Sequence, residues 1–550
     1  MSTRSNVARN LRRLGSLALV CGVLTTAGTT PAQAGLLGGG GGLLGGTGGL
    51  LGGTVGTVVG VVSTALDTTT GLLNGADWAY SSSQTSMGLV NKSIGADTMA
   101  GLGYDGKGVG VALLDTGVVP VQGLTSGNVV NGPDLSLDNP SGQMQNVDGF
   151  GHGTHMAGII AGNDGTSNGY KGVAPGATLL NVKIGASDGA VDVTQVIAGI
   201  DWVVQHRNDN GMNIRVINLS YGTDGAQSYQ LDPLAAAVEH AWQNGIVVVV
   251  AGGNSGSNIP SLDNPATDPY VISVGADDPN GTATSLDDSV PQFSSRGSAS
   301  RHVDIVAPGQ SIVSLRDPGS YIDTQYPGAV VNTRFFKGSG TSQAAAVVSG
   351  AVALLLQQRP NLTPDQVKAA LTSTATALPQ ASAAARGAGL LNVSGASLAL
   401  VGPSTQTWPK SSGLGTLEGA RGDAHVSDNG TDLVGEQDIF GSPWNAAAWA
   451  AASAAGTAWD GGSWNGNDWT GTCWCGSSWT GDAWSGHTWS GHTWSGHTWS
   501  GSAWTGHTWS GESWDGHTWS GSGWVADAWS GHTWSGHTWS GHTWSGAFWS

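Results

Sequence analysis

Short runs of valine and isoleucine alternate with longer amphipathic segments over residues 91–400 of this chain. Six of the runs are nearly continuous in apolar residues: 109–114, 178–184, 216–219, 246–250, 271–274 and 303–306. Such runs are typical of parallel strands that are covered on both faces. Between them, apolar residues recur at helical spacing over 193–204 and 233–244, and residues 363–366 have the order of a capped helix start. We therefore predict an α/β domain with a mostly parallel sheet between helices.

The residues before this domain have the pattern of an export signal. Arginines precede the apolar run 14–24, and Ala32-Gln33-Ala34 offers a small-residue cleavage site. We predict a signal peptide over 1–34 and a secreted, extracellular protein, either free or associated with the cell surface. The pair Arg12-Arg13 leaves open whether the twin-arginine route or the general route is used.

Glycine dominates the segment that follows the leader. We interpret residues 35–90 as a low-complexity tether, because up to about residue 75 they offer too few different side chains to specify a packed core. Gly52, Gly56 and Gly60 lie at a spacing that also lets helices pack closely in a membrane. The density of glycine disfavours helix and therefore this alternative.

Tryptophan dominates the C-terminal part of the chain. After a predicted linker over 401–443, a Trp-rich region spans 444–550, and from Trp459 to Trp549 a tryptophan recurs at every fifth position. Three interpretations remain open. The repeats form a small β-solenoid, a disordered low-complexity tail, or exposed aromatic platforms that bind a glycan or another cell-surface polymer.

The charge of the chain argues against one class of partner. The formal net charge is −18, only 11% of the residues are charged, and no basic stripe follows the leader. Because nucleic-acid binding depends on clustered lysine and arginine, we do not expect nucleic acid as a partner.

Three of the predicted strands end in short polar segments: Asp115-Thr116-Gly117, Ser220-Tyr221-Gly222 and Gly252-Gly253-Asn254. In an open α/β sheet, ligands bind outside the carboxyl ends of the strands. His152 and Ser342 each follow a glycine-rich turn that leads into an apolar helical segment. All of these positions are compatible with one end of one sheet.

Asp115, His152 and Ser342 supply the three roles of an activated serine nucleophile. A serine hydroxyl reacts when an imidazole takes its proton, and a carboxylate fixes the tautomer of that imidazole. The backbone N–H groups at a helix start and the Asn254 amide offer donors for the developing oxyanion. His155, at i+3 from His152, allows a metal pair as an alternative, but no third ligand is evident.

Several blocks of the chain together resemble the subtilisin-like serine proteases, or subtilases. They are, in order, VALLDTGV, GHGTHMAGIIAG, VINLSYG, AGGN, FSSRG, VDIVAPG and GSGTSQAAAVVSGAVALLL. The order Asp, His, Asn, Ser matches as well, over about residues 91–393. The stretches IGADTMAGLGYDGKGVGVALLDTGV and DWVVQHRNDNGMNIRVINLSYG are most similar to the AprX-like bacterial branch.

This resemblance implies a seven-stranded sheet, peptide hydrolysis through an acyl-enzyme, and a protein or peptide as substrate, with no cofactor required. It also implies that Ser220, Tyr221, Gly222 and Gly253 line the cleft, where an extended peptide pairs with the backbone as an added strand. Tyr221 stands where a smaller aliphatic residue is more usual, so the preferred substrate side chain stays open. We expect a monomer.

The resemblance also raises the question of a structural calcium ion. Many relatives bind one in the loop after the His152 helix, which here contains Asn163 and Asp164. The match is imperfect, because no aspartate lies nine residues after Asp115, where subtilisins proper supply a ligand. The predicted catalytic domain contains no cysteine, so its stability depends on packing, with or without calcium.

The alternative to a peptidase is a binding protein without enzymatic function. The chain is then mainly a surface-binding or adhesive protein that uses the Trp repeats, with the protease fold as a carrier. The intact triad positions argue against this alternative.

Overall fold

The computed structural model describes residues 85–138, 145–166, 169–257, 261–423, 425–428 and 431–468, together with four short strands in the C-terminal repeats. The predicted signal peptide (1–34) and the predicted tether up to residue 84 lie outside the described residues. The last residues of that predicted tether, 85–90, enter a strand and a helix.

The strands are, in chain order, β1 (Thr85–Ser86), β2 (Gly110–Asp115), β3 (Val129–Asp134), β4 (Thr178–Lys183), β5 (Ile214–Leu219), β6 (Val247–Ala251), β7 (Ile272–Asp277), β8 (Ile305–Pro308), β9 (Ile312–Leu315), β10 (Val330–Val331), β11 (Phe335–Gly338), β12 (Ser427–Asp428), β13 (Thr431–Asp432), β14 (Trp459–Asp460), β15 (Ser463–Trp464), β16 (Asn467–Asp468), β17 (Trp499–Ser500), β18 (Thr505–Ser510), β19 (Trp519–Ser520) and β20 (Ser530–Ser535).

The α-helices are α1 (Met87–Ser93), α2 (Ala96–Gly101), α3 (His152–Ala161), α4 (Val193–His206), α5 (Pro233–Gln243), α6 (Tyr321–Gln325), α7 (Thr341–Gln358), α8 (Pro364–Ser373), α9 (Ala383–Arg386), α10 (Val393–Leu398), α11 (Leu417–Arg421) and α12 (Ala446–Ala454). Two short 3₁₀ turns lie at Asp209–Gly211 and Pro327–Ala329.

A seven-stranded sheet in the order β3-β4-β2-β5-β6-β7-β8 forms the centre of the described structure. Every neighbouring pair of strands in it is parallel. All six strands predicted from the apolar runs belong to this sheet. The sequence pattern missed β3, because this edge strand is partly exposed and contains Gly132 and Pro133, which are atypical of a central strand.

Helices cover both faces of this sheet. Every residue of β2, β6 and β7 is buried, as the continuous apolar runs predicted for strands enclosed on two sides. Helix α3 packs against α7, and α4 packs against α5. The predicted α/β fold, with a parallel sheet between helices, is therefore confirmed.

Two helices begin at side-chain caps that the local sequence encodes. Thr363 accepts a hydrogen bond from the backbone N–H of Gln366, whose side chain completes a capping box, and Pro364 occupies the first turn of α8. Asp192 caps α4 in the same way together with Gln195. The capped start predicted at residues 363–366 is therefore confirmed.

A smaller mixed sheet lies beside the main one, with the strand order β1-β9-β11-β10. β1 pairs in parallel with β9, while β11 is antiparallel to both β9 and β10. Strand β11 ends at Gly338, shortly before α7 begins, so this sheet fixes the approach to that helix.

Residues 403–468, here called the C-terminal arm, pack against α4 and α5. The first part of the arm was expected to be a linker, yet Leu417, Arg421 and Ile439 in it are buried. Arg421 pairs with Asp192 at the start of α4, so the parts of this segment around these buried residues pack on the domain. The boundary at residue 444, predicted between the linker and the Trp-rich region, therefore lies within the C-terminal arm.

Within the repeats, the structure describes two parallel strand pairs. β17 pairs with β19, and β18 pairs with β20. The paired residues are 20 and 25 residues apart in sequence, which are whole multiples of the five-residue repeat. The choice among the three interpretations of the repeats stays open, and most of 469–550 lies outside the described residues.

Within the part of the chain that the structure describes, none of the helices has both the length and the apolar character needed for a membrane span.

Candidate active site

The polar segments predicted to share one edge of the sheet do share it. β2, β5 and β6 are neighbours and run in parallel, so Asp115, Ser220 and Asn254 follow or end strands at the same edge. Helices α3 and α7 begin at His152 and Thr341.

Asp115 and His152 form a buried hydrogen-bonded pair. Nδ1 of His152 lies 2.7 Å from Oδ1 of Asp115, and the two residues are 3% and 0% exposed. The same carboxylate oxygen accepts a hydrogen bond of 2.8 Å from the backbone N–H of Thr116. A carboxylate at Nδ1 selects the tautomer that carries its proton there, which places the basic lone pair on Nε2.

A network around Asp148 holds the start of α3 against the end of β2. Its carboxylate accepts hydrogen bonds from the backbone N–H groups of Gly151 and Thr154, each at 2.7 Å. Thr116 donates its hydroxyl to Asp148 at 2.8 Å and accepts from the N–H of Gly153 at 2.9 Å. The sequence analysis named Thr116 only as part of the polar segment that follows β2, and it did not name Asp148.

Ser342 lies in the first turn of α7, next to the end of β5. Its hydroxyl donates to the carbonyl oxygen of Ser220 at 3.4 Å, while the Ser220 hydroxyl donates to the carbonyl oxygen of Ser342 at 3.1 Å. The residue is 9% exposed. This mutual contact fixes the helix start at the sheet edge that carries Asp115.

Thr341 orients the amide of Asn254. The backbone N–H and the hydroxyl of Thr341 both donate to Oδ1 of Asn254, at 2.9 and 3.1 Å. With Oδ1 engaged, Nδ2 is the group of this amide that is left to donate a hydrogen bond. Thr341 also accepts from the N–H of Gly253 at 3.2 Å, so one threonine connects α7 to the segment after β6. The sequence analysis did not single it out.

The residues predicted to line the substrate cleft separate into two groups. Ser220 and Gly253 contact the start of α7 through Ser342 and Thr341, and Gly222 follows two residues after Ser220, so their place in a substrate cleft stays a prediction. The Tyr221 side chain is 1% exposed, and the charges that act on it are those of Asp192, Arg421 and Asp232, which lie near α4, α5 and the arm. Burial raises the pKa of this phenol well above its usual value. Its ring therefore belongs to the core.

His155, the alternative metal ligand, is buried in α3 and packs against the smaller sheet. Its Nε2 donates to the carbonyl oxygen of Phe336 at 3.1 Å. Burial lowers the pKa of this imidazole to about 3, and the neighbouring His152 acts in the same direction. Among the described residues, no group of three or more His, Cys, Asp or Glu side chains is arranged to hold a metal ion.

The loop proposed for calcium is held by an ion pair. Both carboxylate oxygens of Asp164 accept hydrogen bonds from the guanidinium of Arg334. Asn163 binds within the loop, accepting from the N–H of Gly165 at 2.9 Å and donating to the carbonyl of Pro175 at 3.0 Å. Arg334 thus supplies positive charge at this carboxylate, and calcium binding here stays a prediction.

The fold and these side chains define the class of the protein. A serine at a helix start, a buried Asp–His pair and an oriented amide meet at the carboxyl edge of a parallel sheet, which is the arrangement of a serine hydrolase. Residues 106–392, slightly more than half of the chain, match the model of the subtilase family. The chain belongs to this family of serine endopeptidases.

Individual relatives agree with this assignment. The chain is 43% identical over 270 residues to the serine protease AprX of Bacillus subtilis (strain 168), a match that covers 48% of this chain and 60% of AprX. It is 36% identical over 305 residues to subtilisin DY of Bacillus licheniformis, covering 55% of this chain and 96% of that protein. Among solved structures, fervidolysin from Fervidobacterium pennivorans, a keratinolytic enzyme related to subtilisin, matches with 28% identity and a TM-score of 0.46 over 59% of this chain and 48% of that one.

Proposed function

We propose that this protein is a serine endopeptidase that cleaves protein substrates through an acyl-enzyme. Asp115, His152 and Ser342 are the proposed triad, and Asn254 is the proposed oxyanion donor. The observation that carries the proposal is the 2.7 Å contact between buried Asp115 and His152, at the sheet edge where Ser342 lies in the first turn of α7. We further propose that the enzyme is exported, as the pattern of residues 1–34 indicates.

The first step of the proposed reaction uses the tautomer that Asp115 selects. The Ser342 hydroxyl leaves the Ser220 carbonyl, transfers its proton to Nε2 of His152 and attacks the scissile carbonyl carbon. The resulting oxyanion accepts hydrogen bonds from Nδ2 of Asn254 and from backbone N–H at the start of α7. Asp115 stabilises the imidazolium without taking its proton.

The remaining steps return the enzyme to its starting state. The imidazolium of His152 gives its proton to the leaving amine, the C–N bond breaks, and Ser342 carries the acyl group as an ester. Water then loses a proton to His152 and attacks the ester, and Ser342 regains its proton as the acid product leaves. The extended substrate pairs with the backbone beside Ser220 and Gly222 as an added strand.

The test combines active-site labelling with proteolysis. We expect a fluorophosphonate to label the wild-type protein at Ser342, and we expect cleavage of casein. Ser342→Ala should abolish labelling and lower kcat on the order of 10⁶-fold, the loss typical of a missing nucleophile. Ser300→Ala, at an exposed serine away from the site, is the control and should change neither. A folded wild type that is neither labelled nor active would favour the surface-binding function.

A further inference from the structure

Asp263 joins the two backbone segments that flank the proposed cleft. Its N–H donates to the carbonyl of Gly252 at 3.2 Å, in the segment that leads to Asn254. The next residue, Asn264, exchanges two backbone hydrogen bonds with Thr223, at 2.8 and 2.9 Å, just after Ser220-Tyr221-Gly222. Asp263 is therefore held from both sides between the substrate-binding segments.

The carboxylate of Asp263 lies directly against two of the glycines predicted to bind substrate. A Cβ atom added to Gly253 would lie 2.5 Å from Cγ of Asp263 and 2.6 Å from each of its carboxylate oxygens. A Cβ atom added to Gly222 would lie 2.7 Å from Cβ of Asp263. The carboxylate thus occupies the space that a side chain at position 253 would fill. Glycine at both positions therefore permits the close approach of Asp263 to these two segments.

The charge of Asp263 is not balanced by a cation in the described structure. Among the described residues, the charged group that acts on it is another carboxylate, Asp224, and its side-chain oxygens take part in none of the hydrogen bonds found there. Two other acids with restricted access have basic partners, since Asp192 pairs with Arg421 and Asp164 pairs with Arg334, whereas the charges that act on buried Asp277 and Asp288 are, like that on Asp263, those of other acids. A carboxylate of limited exposure favours a positive partner, since desolvating an unpaired charge is costly.

We propose that Asp263 forms the base of the pocket for the substrate residue whose carbonyl is attacked, and that the enzyme prefers lysine or arginine at this position. The inference rests on the proposed peptidase function, which places the attacked carbonyl between Ser342 and Asn254. The side chain of that residue then passes between Gly222 and Gly253.

Lysine and arginine suit such a pocket in shape as well as in charge. Each carries its charge at the end of a long apolar stem, which here lies between the two glycine backbones while the cation meets the carboxylate. Tyr221, the large side chain next to Gly222 in the sequence, does not fill the proposed pocket, because it is buried in the core. The presence of Tyr221 did not predict which substrate side chain is preferred. We assign this preference to Asp263.

The experiment compares peptide substrates that differ only at the residue before the cut: arginine, lysine, leucine, phenylalanine and glutamate. We expect the wild-type full-length enzyme to cleave the arginine and lysine peptides with the highest kcat/KM. Asp263→Asn, which keeps the shape and removes the charge, should lower the ratio of kcat/KM for arginine to that for leucine on the order of 100-fold.

Two further variants separate a pocket charge from a general effect. Asp263→Lys should shift the preference to glutamate, because the pocket charge is reversed. Asp287→Asn removes the same charge from an exposed site and should leave the ratio unchanged. Fluorophosphonate labelling of each variant confirms that the site is folded.

The outcomes distinguish this inference from the function on which it rests. A wild type that labels and cleaves, but prefers leucine or phenylalanine, overturns the inference and leaves the peptidase function standing. An unchanged arginine-to-leucine ratio in a labelled Asp263→Asn enzyme overturns it as well. A wild type that is not labelled defeats the peptidase function first.

Discussion

Asp263 and Asp224 are two acids beside a cleft that lacks a balancing cation among the described residues. Burial, together with the nearby carboxylate of Asp224, raises the pKa of Asp263 to about 7. Near pH 7 the carboxyl group is therefore divided between its neutral and ionised forms. Only the ionised form attracts a substrate cation, so the proposed preference depends on pH.

We expect the preference for arginine over leucine to increase with pH. Between about pH 6 and pH 8 the ionised fraction of a group with a pKa of about 7 rises roughly tenfold, and the ratio of the two kcat/KM values should follow. Steady-state kinetics with the arginine and leucine peptides measure this ratio of kcat/KM values. The ratio should be flat in Asp263→Asn, and a flat ratio in the wild type would contradict the prediction.

Asp192, the N-cap residue of α4, also binds the C-terminal arm. Asp192 accepts a hydrogen bond of 2.9 Å from the N–H of Thr194 as the cap of α4, and its carboxylate binds Nε of Arg421 at 2.6 Å. Arg421, in α11 of the C-terminal arm, also donates to the carbonyl oxygens of Gly435 and Gln437. Both side chains of the ion pair are 0% exposed. One buried pair thus links the arm to the helix start.

Removing the cation from this pair should be strongly destabilising. Arg421→Leu leaves the Asp192 charge buried without its partner, and we expect the free energy of unfolding to fall by about 3–5 kcal/mol. Urea denaturation measures the change, with the active serine blocked by a fluorophosphonate to prevent autolysis. Arg386→Leu, at a partly exposed arginine in α9, is the comparison and should cost much less. Equal losses in the two variants would refute the role of the pair.

The C-terminal arm extends the core of the domain through its tryptophans. The indole N–H groups of Trp449 and Trp464 both donate to Oδ2 of Asp201, at 2.9 and 3.2 Å, and Ser453 donates to Oδ1 at 2.7 Å. Trp444 packs on both of these rings, with ring centroids 5.3 and 5.8 Å apart. Trp444 and Trp449, from the start of the Trp-rich region, therefore form a packed cluster on α4 with Trp464 of the five-residue pattern.

Because of this cluster, we expect Trp464→Ala to lower the free energy of unfolding much more than Trp408→Ala does. Trp464 is 0% exposed, so Trp464→Ala should lower the free energy of unfolding by about 3–5 kcal/mol through the cavity it creates. Trp408→Ala removes the same side chain at a site that is 54% exposed and should have a small effect. Urea denaturation of both serine-blocked variants provides the comparison. A small loss for Trp464→Ala would show that the arm does not stabilise the domain.

Local patterns in the sequence predicted most of the main sheet and the chemistry of the site. Continuous apolar runs identified six of its strands, and strand ends and helix starts identified Asp115, His152, Asn254 and Ser342. The pattern failed at β3, where glycine and proline interrupt an exposed edge strand. It also failed at the predicted linker, because the burial of Arg421 depends on a partner 229 residues away in the chain.

The sequence determined the class of fold and the side chains proposed to react, because both depend on periodicity and on residue types next to strand ends and helix starts. Only the tertiary structure decided which neighbours surround that chemistry. It buried Tyr221 in the core, placed the Asp263 carboxylate against Gly222 and Gly253, and packed the first tryptophans around Asp201. These outcomes depend on contacts between segments far apart in the chain, for which no local pattern carries a signal.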